Sequence, residues 1–398
     1  MNSEIKNAIA HTINSHSEEL RQISLQIHDH PELGEHEFNA YRILTEFLQQ
    51  KGFHITHHAA GMETAFIAEY SNGTEGRRVG FCSEYDALPG VGHGCGHNLI
   101  AISGLACALA VKDLLEQNLV KGTVVLFGTP AEESTSGKIT FVREQEVQKR
   151  VDFSMMLHPF AKDGMFAPFL ALDSLKVEFF GKASHAGMAP WNGVNALDAL
   201  MQAYDNIAML RQQILPSSRI HGIIKDGGKS ANVIPDYASG AFYVRSATRK
   251  QLAELKVKVE KCFQAAARGT GCEVKLAWAP NGPVEDVFQN EPMAAIYQQF
   301  MEEEGRQFPD RNEEMRQVSG STDMGNFSYV TPTIHPMFGI HTDATNHTVE
   351  FAQAAGTEIA HKDTLCAARC LSQTAAAVLL DDALYNEAVK NFKQGKPE

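Results

Sequence analysis

The order of strand and helix patterns between residues 171 and 285 most strongly limits the folds open to this chain. Strand-like alternation in LDSLKVEFF precedes a helical pattern at about 193–214. Two strand patterns, a second helical pattern and a last strand, CEVKLAWAP, follow. This βαββαβ order is the split arrangement of a small antiparallel-sheet domain. We therefore expect such a domain at 171–285, inserted into a longer domain formed by 1–170 and 286–398.

The flanking sequence alternates buried strand patterns with helical runs. RRVGFCS and KGTVVLFG are apolar runs of strand length, and VDFSMMLHPF contains a third that we predict to end at His158. The run NLIAISGLACALAVKDLLEQ predicts a helix with Asn98 as its N-cap. This alternation predicts an α/β mixed sheet with helices on both faces. A final helix is expected at about 363–393.

Composition argues against several classes of partner. The formal net charge is -13 and no basic tract is present, which argues against a nucleic acid or a membrane surface. No run approaches about 18 apolar residues, so we expect no transmembrane helix. The polar first twenty residues predict no secretory leader. Seven scattered cysteines fit a reduced chain, and together these features predict a cytoplasmic protein.

Residues 92–97, GHGCGH, place a thiol between two imidazoles. Cys95 and His97 are ligand types suited to zinc and related divalent ions. The intervening glycines allow a tight turn that can bring both side chains to one point. Taken alone, the motif is equally consistent with a tight turn around a buried cysteine, so a metal site requires further ligands.

Further candidate ligands follow the predicted strands. Glu132 and Glu133 follow TVVLFGTPA, His158 ends FSMML, and His347 follows TIHPMFGI. Each has an ordinary alternative: a solvated helix start for the glutamates, a core histidine for His158 and a loop histidine for His347. Open α/β sheets bind ligands at the carboxyl ends of their strands, where these residues would converge. The set exceeds what one tetrahedral zinc ion needs, which predicts two ions.

Six motifs in a fixed order carry a family resemblance. They are HPELGEHEFNAYRILTEFLQQKGF, SEYDALPGVGHGCGHNLIA, GTVVLFGTPAEES, GKASHAGMAPWNGVNALDA, ANVIPDYASGAFYVR and GSTDMGNFSYVTPTIHPMFGI with NHT. The chain resembles the dinuclear-metal aminoacylase and glutamate-carboxypeptidase family of metallopeptidases. Its branch resembles that of aminobenzoyl-glutamate hydrolases, auxin-conjugate amidohydrolases and peptidase-domain-containing dipeptidases. The resemblance implies a zinc-peptidase-like fold with an inserted ferredoxin-like lid domain that forms a homodimer.

The resemblance also implies a role for each candidate residue. Cys95 would bridge two divalent ions, Zn²⁺ or Mn²⁺, with Co²⁺ as a substitute. The other metal ligands would be His97, Glu133, His158 and His347. Glu132 would be the general base, and His185 would act from the lid. Asn232 and Arg245 would hold the substrate carboxylate.

Two acidic motifs remain open. Asp86, in SEYDALPG, either orients an imidazole such as that of His97 or caps a local turn. Asp323 lies in the loop GSTDMGNFS, which the resemblance places beside the substrate pocket. A flexible surface turn is the alternative for that loop.

We therefore expect a metal-dependent amidohydrolase or dipeptidase. Its small substrate would carry a carboxylate, as a dipeptide or an N-acyl or N-aroyl amino acid such as aminobenzoyl-glutamate does. The alternative is a non-catalytic metal-binding scaffold, against which the presence of Glu132 and His185 argues. A thiol redox protein is disfavoured, since the chain has no CxxC motif and a metal would quench the Cys95 thiolate.

Overall fold

The chain folds into two compact units. A computed structural model describes residues 2–317 and 320–395. The larger unit comprises 2–168, 287–317 and 322–395. The smaller unit comprises 169–286 with 320–321, and is thus inserted in the chain of the larger one.

Helices and strands are numbered in chain order. The α-helices α1 to α14 are Ser3–Ser15, Ser17–Asp29, Phe38–Gln50, His97–Glu116, Gly137–Arg143, Glu146–Arg150, Ala196–Leu210, Arg249–Thr270, Glu291–Glu303, Arg311–Glu314, Met324–Ser328, Val349–Ala355, Glu358–Leu380 and Asp382–Gly395. The strands β1 to β12 are His54–His57, Phe66–Ser71, Arg78–Ser83, Thr123–Gly128, Phe153–Met155, His158–Phe160, Ala171–Phe180, Arg219–Asp226, Tyr237–Ser246, Glu273–Trp278, Thr333–Ile334 and Met337–Gly339.

A mixed sheet forms the centre of the larger unit. Its strand order is β1-β2-β4-β3-β5-β11. Strands β4, β3, β5 and β11 run parallel, whereas β1 and β2 are antiparallel to their neighbours. Strands β6 and β12 form a separate parallel pair. The predicted α/β class with a mixed sheet is confirmed, and its parallel strands bring the segments that follow them to one edge.

Helix α4 lies in the core of the larger unit. Leu99, Ile102 and Leu105 are fully buried, and the helix packs against α13, α1 and β3. Contrary to expectation, α4 is long and apolar enough to cross a membrane by length and composition. However, 89% of its apolar window is buried inside the protein, which identifies it as a core helix.

The start of α4 differs from the prediction. The helix begins at His97 with Gly96 as its N-cap, so Asn98 lies inside the first turn. The buried Asn98 amide instead donates hydrogen bonds to Ser24 Oγ and to the Ala355 carbonyl. Asn98 therefore ties α4 to two distant segments rather than capping the helix.

The smaller unit is a four-stranded antiparallel sheet with two helices. Its strand order is β10-β7-β9-β8, and α7 and α8 lie between β7 and β8 and between β9 and β10 in the chain. Phe179, Phe242 and Phe263 fill its core. The predicted βαββαβ order and the ferredoxin-like class are confirmed.

Two element predictions are wrong. The final helix is two helices, α13 and α14, because the backbone at Asp381 is extended and its carboxylate accepts the N–H groups of Ala383 and Leu384. His158 does not end a strand. It begins β6, since β6 leaves the main sheet to pair with β12.

Candidate metal centre

The GHGCGH turn presents Cys95 and His97 at the start of α4. Gly96 has a left-handed backbone with φ of 77°, and a Cβ there would lie 2.6 Å from Pro159 Cγ. Only glycine meets both conditions without strain. The close approach brings Cys95 Sγ within 3.5 Å of His158 Nε2.

Cys95, His97 and His158 form one group of candidate ligands, with their ligand atoms within 4.8 Å of one another. His97 Nδ1 lies 2.9 Å from Asp86 Oδ1, and His158 Nδ1 lies 2.9 Å from the Pro159 carbonyl oxygen. When Nδ1–H donates to such a partner, the lone pair of Nε2 is available to a cation. Both imidazoles are thus oriented to present Nε2.

Cys95, Glu133 and His347 form a second group within the same 4.8 Å limit. His347 Nε2 lies 3.1 Å from Glu133 Oε1, and the Glu133 N–H donates to Asp86 Oδ2 at 2.9 Å. The His347 backbone is left-handed, with φ of 69°, and its N–H donates to the Gly94 carbonyl. Cys95 belongs to both groups, so one thiolate can bridge two neighbouring cations.

Glu132 completes a third group with His97 and Glu133. Burial and the nearby charges of Glu133 and Glu84 raise the pKa of Glu132 well above its ordinary value. Burial opposes ionisation of Glu133 as well, but His347 and His97 hold the pKa of Glu133 below its usual range. Two adjacent carboxyl groups therefore differ in their tendency to hold a proton, as acid–base chemistry requires.

The donor set fits divalent ions of the zinc type. Among the described residues, His97 Nε2 is buried without a hydrogen-bond partner, and Glu133 Oε1 is buried next to His347 Nε2 without a well-formed hydrogen bond. Buried polar atoms nearly always have partners, so unpartnered atoms directed at one space indicate a ligand. Thiolate, imidazole and carboxylate are the ligands of zinc and related ions.

The smaller unit carries the remaining predicted residues. His185 is exposed, and its Nδ1 accepts the N–H groups of Gly187 and Met188. Asn232 is also exposed, and its Oδ1 accepts a hydrogen bond from Ser230 Oγ. Arg245 is half-buried on β9 and donates from Nη1 to Ser321 Oγ at 3.2 Å.

Asp323 lies close to Glu132 in the larger unit, with their carboxylate oxygens within 4.8 Å of each other. The prediction places it at the substrate pocket, but its carboxylate is fully buried. It accepts hydrogen bonds from Lys138 Nζ at 2.6 Å and from the Lys138 N–H at 2.9 Å. An ion pair inside the fold thus occupies this carboxylate, and its assignment to the substrate stays a prediction.

Lys138 and Glu84 are the site residues that the sequence analysis missed. Both are fully buried, and Lys138 Nζ also forms an ion pair with Glu84. A lysine within the apolar stretch GKITF was the available signal, because a lysine is almost never fully buried unless it is paired.

Comparison with known proteins identifies the family. Residues 76–358 match the model of Peptidase family M20/M25/M40. The chain belongs to this family. It is 39% identical over 400 residues to the Xaa-Arg dipeptidase of Mus musculus, covering 98% of this chain and 92% of that protein. It is 29% identical over 463 residues to a p-aminobenzoyl-glutamate hydrolase chain of Escherichia coli strain K12, covering 98% and 95%.

Two solved structures share the fold. A dinuclear metal-binding peptidase from Bacillus subtilis aligns with a TM-score of 0.69 at 19% identity, covering 92% of this chain and 99% of that chain. An aminobenzoyl-glutamate utilization protein from Klebsiella pneumoniae aligns with a TM-score of 0.72 at 19% identity, covering 94% and 99%. The predicted family is confirmed, and this M20 protein is an enzyme of the peptidase and amidohydrolase class.

Proposed function

We propose that this M20 enzyme hydrolyses the amide bond of a small substrate that carries a free carboxylate, using two divalent ions. The observation that carries the proposal is the sharing of Cys95 between two ligand groups, with Glu132 spare beside them. A non-catalytic scaffold would bind ions without needing this additional carboxylate. Zn²⁺ and Mn²⁺ are the ions we propose.

Glu132 is the proposed general base. Bound ions would polarise the amide carbonyl and lower the pKa of a water molecule. Glu132 accepts a proton from that water and delivers it to the leaving amine, which departs poorly unless protonated. Its raised pKa supports this exchange, because burial and the neighbouring carboxylates make Glu132 a stronger base than an ordinary carboxylate.

Three residues of the smaller unit are proposed to act on the substrate. Arg245 offers several N–H donors to a carboxylate, and Asn232 offers an amide beside it in the ANVIP motif. His185 would donate to the oxygen that becomes negative in the tetrahedral intermediate. We propose that the smaller unit acts as a lid that brings these groups to the bond and excludes water.

A dipeptide is the proposed substrate class. The chain is more similar to the Xaa-Arg dipeptidase, at 39% identity, than to the p-aminobenzoyl-glutamate hydrolase chain, at 29%. Both names describe cleavage of an amide next to an amino acid with a free carboxylate. We place dipeptides with a basic C-terminal residue first and aminobenzoyl-glutamate second.

We also propose a homodimer through the smaller unit. Strand β8 is an edge of its sheet, and Ile223 on that strand is 54% exposed. Met201 and Met209 on α7 are 54% and 69% exposed. An edge strand and exposed apolar side chains are both features of a surface that can bind a second copy of the chain.

Metal removal tests the proposed function. We expect dialysis against a chelator to abolish hydrolysis of a dipeptide panel, and Zn²⁺, Mn²⁺ or Co²⁺ to restore it. The panel would contain Xaa-Arg and Xaa-Lys dipeptides, their C-terminal amides, N-acetyl amino acids and aminobenzoyl-glutamate. Full activity of protein that contains no metal would refute the proposal.

A further inference from the structure

Lys138 forms the centre of a buried ion-pair cluster next to the metal centre. Its ammonium group binds Glu84 and Asp323, and all three side chains are fully buried. Oxygen atoms of Glu84, Glu132 and Asp323 lie within 4.8 Å of one another. The ammonium group already bonds to two of these carboxylates, so we interpret this acidic group as the binding site of Lys138 rather than of a third ion.

The second oxygen of Glu84 faces a metal ligand. Lys138 binds Oε1 of Glu84, whereas Oε2 lies 3.3 Å from His97 Nε2. Within the described part of the chain, neither Oε2 nor Nε2 has a hydrogen-bond partner. Because Asp86 accepts from His97 Nδ1, the Nε2 lone pair and an anionic oxygen would lie next to each other. Two such atoms repel unless Nε2 carries a proton or a cation lies next to both, and the lack of a hydrogen bond between them favours the cation.

The separation of these two atoms is that of two ligands on one ion. Zinc binds nitrogen at about 2.0–2.1 Å and carboxylate oxygen at about 2.0–2.2 Å. In a tetrahedral site, two such ligands are about 3.3–3.5 Å apart. The 3.3 Å between Glu84 Oε2 and His97 Nε2 lies in this range. Co-ligands do not point at each other, which agrees with the lack of a hydrogen bond between them.

We propose that Glu84 is a further ligand of the ion that His97 binds, and that Lys138 holds Glu84 in position for it. The inference rests on the proposed two-ion site and adds a carboxylate to its thiolate and imidazoles. Lys138 neutralises part of the charge that Glu84 and Asp323 bring into the interior, so the cluster remains stable when no ion is bound.

Metal titration of Glu84→Gln tests the proposal. The amide oxygen of glutamine can still accept from Lys138, but an amide is a poorer metal ligand than a carboxylate. We expect the wild-type protein to bind two Co²⁺ ions, and Glu84→Gln to bind one of them at least about 100-fold more weakly. That loss exceeds the 10–100-fold typical of residues that only orient a ligand. The Co²⁺ ion that remains bound should still show the absorption band that arises from its bond to the Cys95 thiolate.

The outcomes separate this inference from the proposed function. If wild-type protein binds two ions and Glu84→Gln binds both with unchanged affinity, Glu84 is not a ligand and the proposed function stands. If wild-type protein binds no Co²⁺, both fail. Glu314→Gln is the matched control, because Glu314 is a buried glutamate that accepts from the Met165 and Ala167 N–H groups and lies outside the candidate ligand groups of the described residues.

A second measurement covers the case in which Glu84→Gln does not fold. In a crystal structure of the wild-type enzyme soaked with Mn²⁺ or Zn²⁺, we expect Glu84 Oε2 to lie at bonding distance from the ion on His97, about 2.0–2.2 Å. An ion on His97 that lies more than about 3 Å from both Glu84 oxygens would overturn the proposal.

The role of Lys138 is tested by a double-mutant comparison. If Lys138 acts on the ion only through Glu84, the variant Glu84→Gln with Lys138→Met should bind Co²⁺ as weakly as Glu84→Gln alone. An additional loss of tenfold or more in the double variant would contradict the positioning role. Thermal unfolding of each variant, measured without metal, identifies losses that come from destabilisation.

Discussion

In the larger unit the candidate functional groups other than the exposed His347 lie inside the fold, whereas His185 and Asn232 of the smaller unit lie on its surface. His97 and Asp86 are 0% and 1% exposed, and they hydrogen-bond to each other. Met188, three residues after His185, is 75% exposed. The buried groups need charged or hydrogen-bonding partners from the chain itself or from bound ions. The exposed groups can form hydrogen bonds with water instead.

This difference predicts how substitutions act. A change among the buried charges alters metal binding, pKa values and folding stability together, because each group has several partners in a medium of low polarity. A change among the exposed residues leaves stability nearly constant and alters only what contacts the substrate.

Glu132→Gln should have the largest effect on activity. Because a positioned general base typically contributes about 10²–10⁴-fold, kcat/KM on a dipeptide should fall by about that factor. Metal content should stay at two ions, since Glu132 is not among the proposed ligands. Glu144→Gln, an exposed glutamate of the same unit, is the control. A loss of kcat/KM of less than threefold in Glu132→Gln would contradict the assignment of Glu132 as the general base.

His185→Asn should reduce kcat by about 10²–10³-fold, the typical loss when one donor to a developing oxyanion is removed. Metal affinity and melting temperature should not change, because His185 is exposed and its hydrogen bonds are local. His221→Asn tests an exposed histidine on β8 of the same unit. Equal losses in the two variants would show that the effect is not specific to His185.

Much of the fold could be predicted from the sequence, because it follows from local patterns. Periodicity of two and of 3.6 residues identifies strands and helices, and the βαββαβ order then leaves few topologies. The break at Asp381 was missed because helical periodicity continues across it. The signal was present, since an aspartate preceding a new helix is a common N-cap.

The site could be predicted only where its residues form motifs. Cys95 and His97 are two residues apart, and Glu132 and Glu133 are adjacent. The partners of Lys138 are 54 and 185 residues away in the chain. No periodicity connects such positions, so the ion-pair cluster and the contact between Asp323 and Lys138 required the three-dimensional fold.

The pH dependence of stability should reveal another buried carboxylate near the site. Burial is the main cause that raises the pKa of Glu37 from 4.5 to about 7. The folded protein therefore holds this proton more tightly than the unfolded chain, and stability is lost as pH rises from about 4.5 to about 7. The full loss is about 3.5 kcal/mol, since one pKa unit corresponds to about 1.4 kcal/mol.

Glu37→Gln should remove this loss. Glu37 accepts hydrogen bonds from the Ala131 N–H and from Thr64 Oγ1, and a glutamine can keep both contacts as a protonated acid would. Urea unfolding of metal-free protein at pH 5 and pH 8 measures the effect. The free energy of unfolding should fall more with pH in the wild-type protein than in Glu37→Gln. Parallel pH profiles would contradict the raised pKa.

Arg245→Lys should have the smallest effect. It tests a residue that is half-buried, between the interior groups of the larger unit and the exposed groups of the smaller unit. Arg245 donates from Nη1 to Ser321 Oγ, and its guanidinium lies 5.9 Å from the Tyr243 ring. Burial lowers the pKa of Arg245, but an arginine remains charged at neutral pH. Lysine keeps the charge but loses the paired donors that match a carboxylate. We expect KM for a dipeptide to rise about tenfold, with kcat nearly unchanged.

A substrate change separates recognition of the carboxylate from general damage. In the wild-type enzyme, a C-terminal amide should raise KM because it cannot accept the paired hydrogen bonds of Arg245. In Arg245→Lys the KM values of the amide and of the free acid should differ less, since the variant has already lost the paired donors that match a carboxylate. Arg219 lies on β8 opposite Arg245 of β9, so Arg219→Lys is the matched control. This variant should prefer the free acid over the amide as strongly as the wild type does. If Arg245→Lys retains the full preference for the free acid, another residue binds the carboxylate. The half-buried arginine then belongs with the buried charges that stabilise the fold, and not with the exposed residues that contact the substrate.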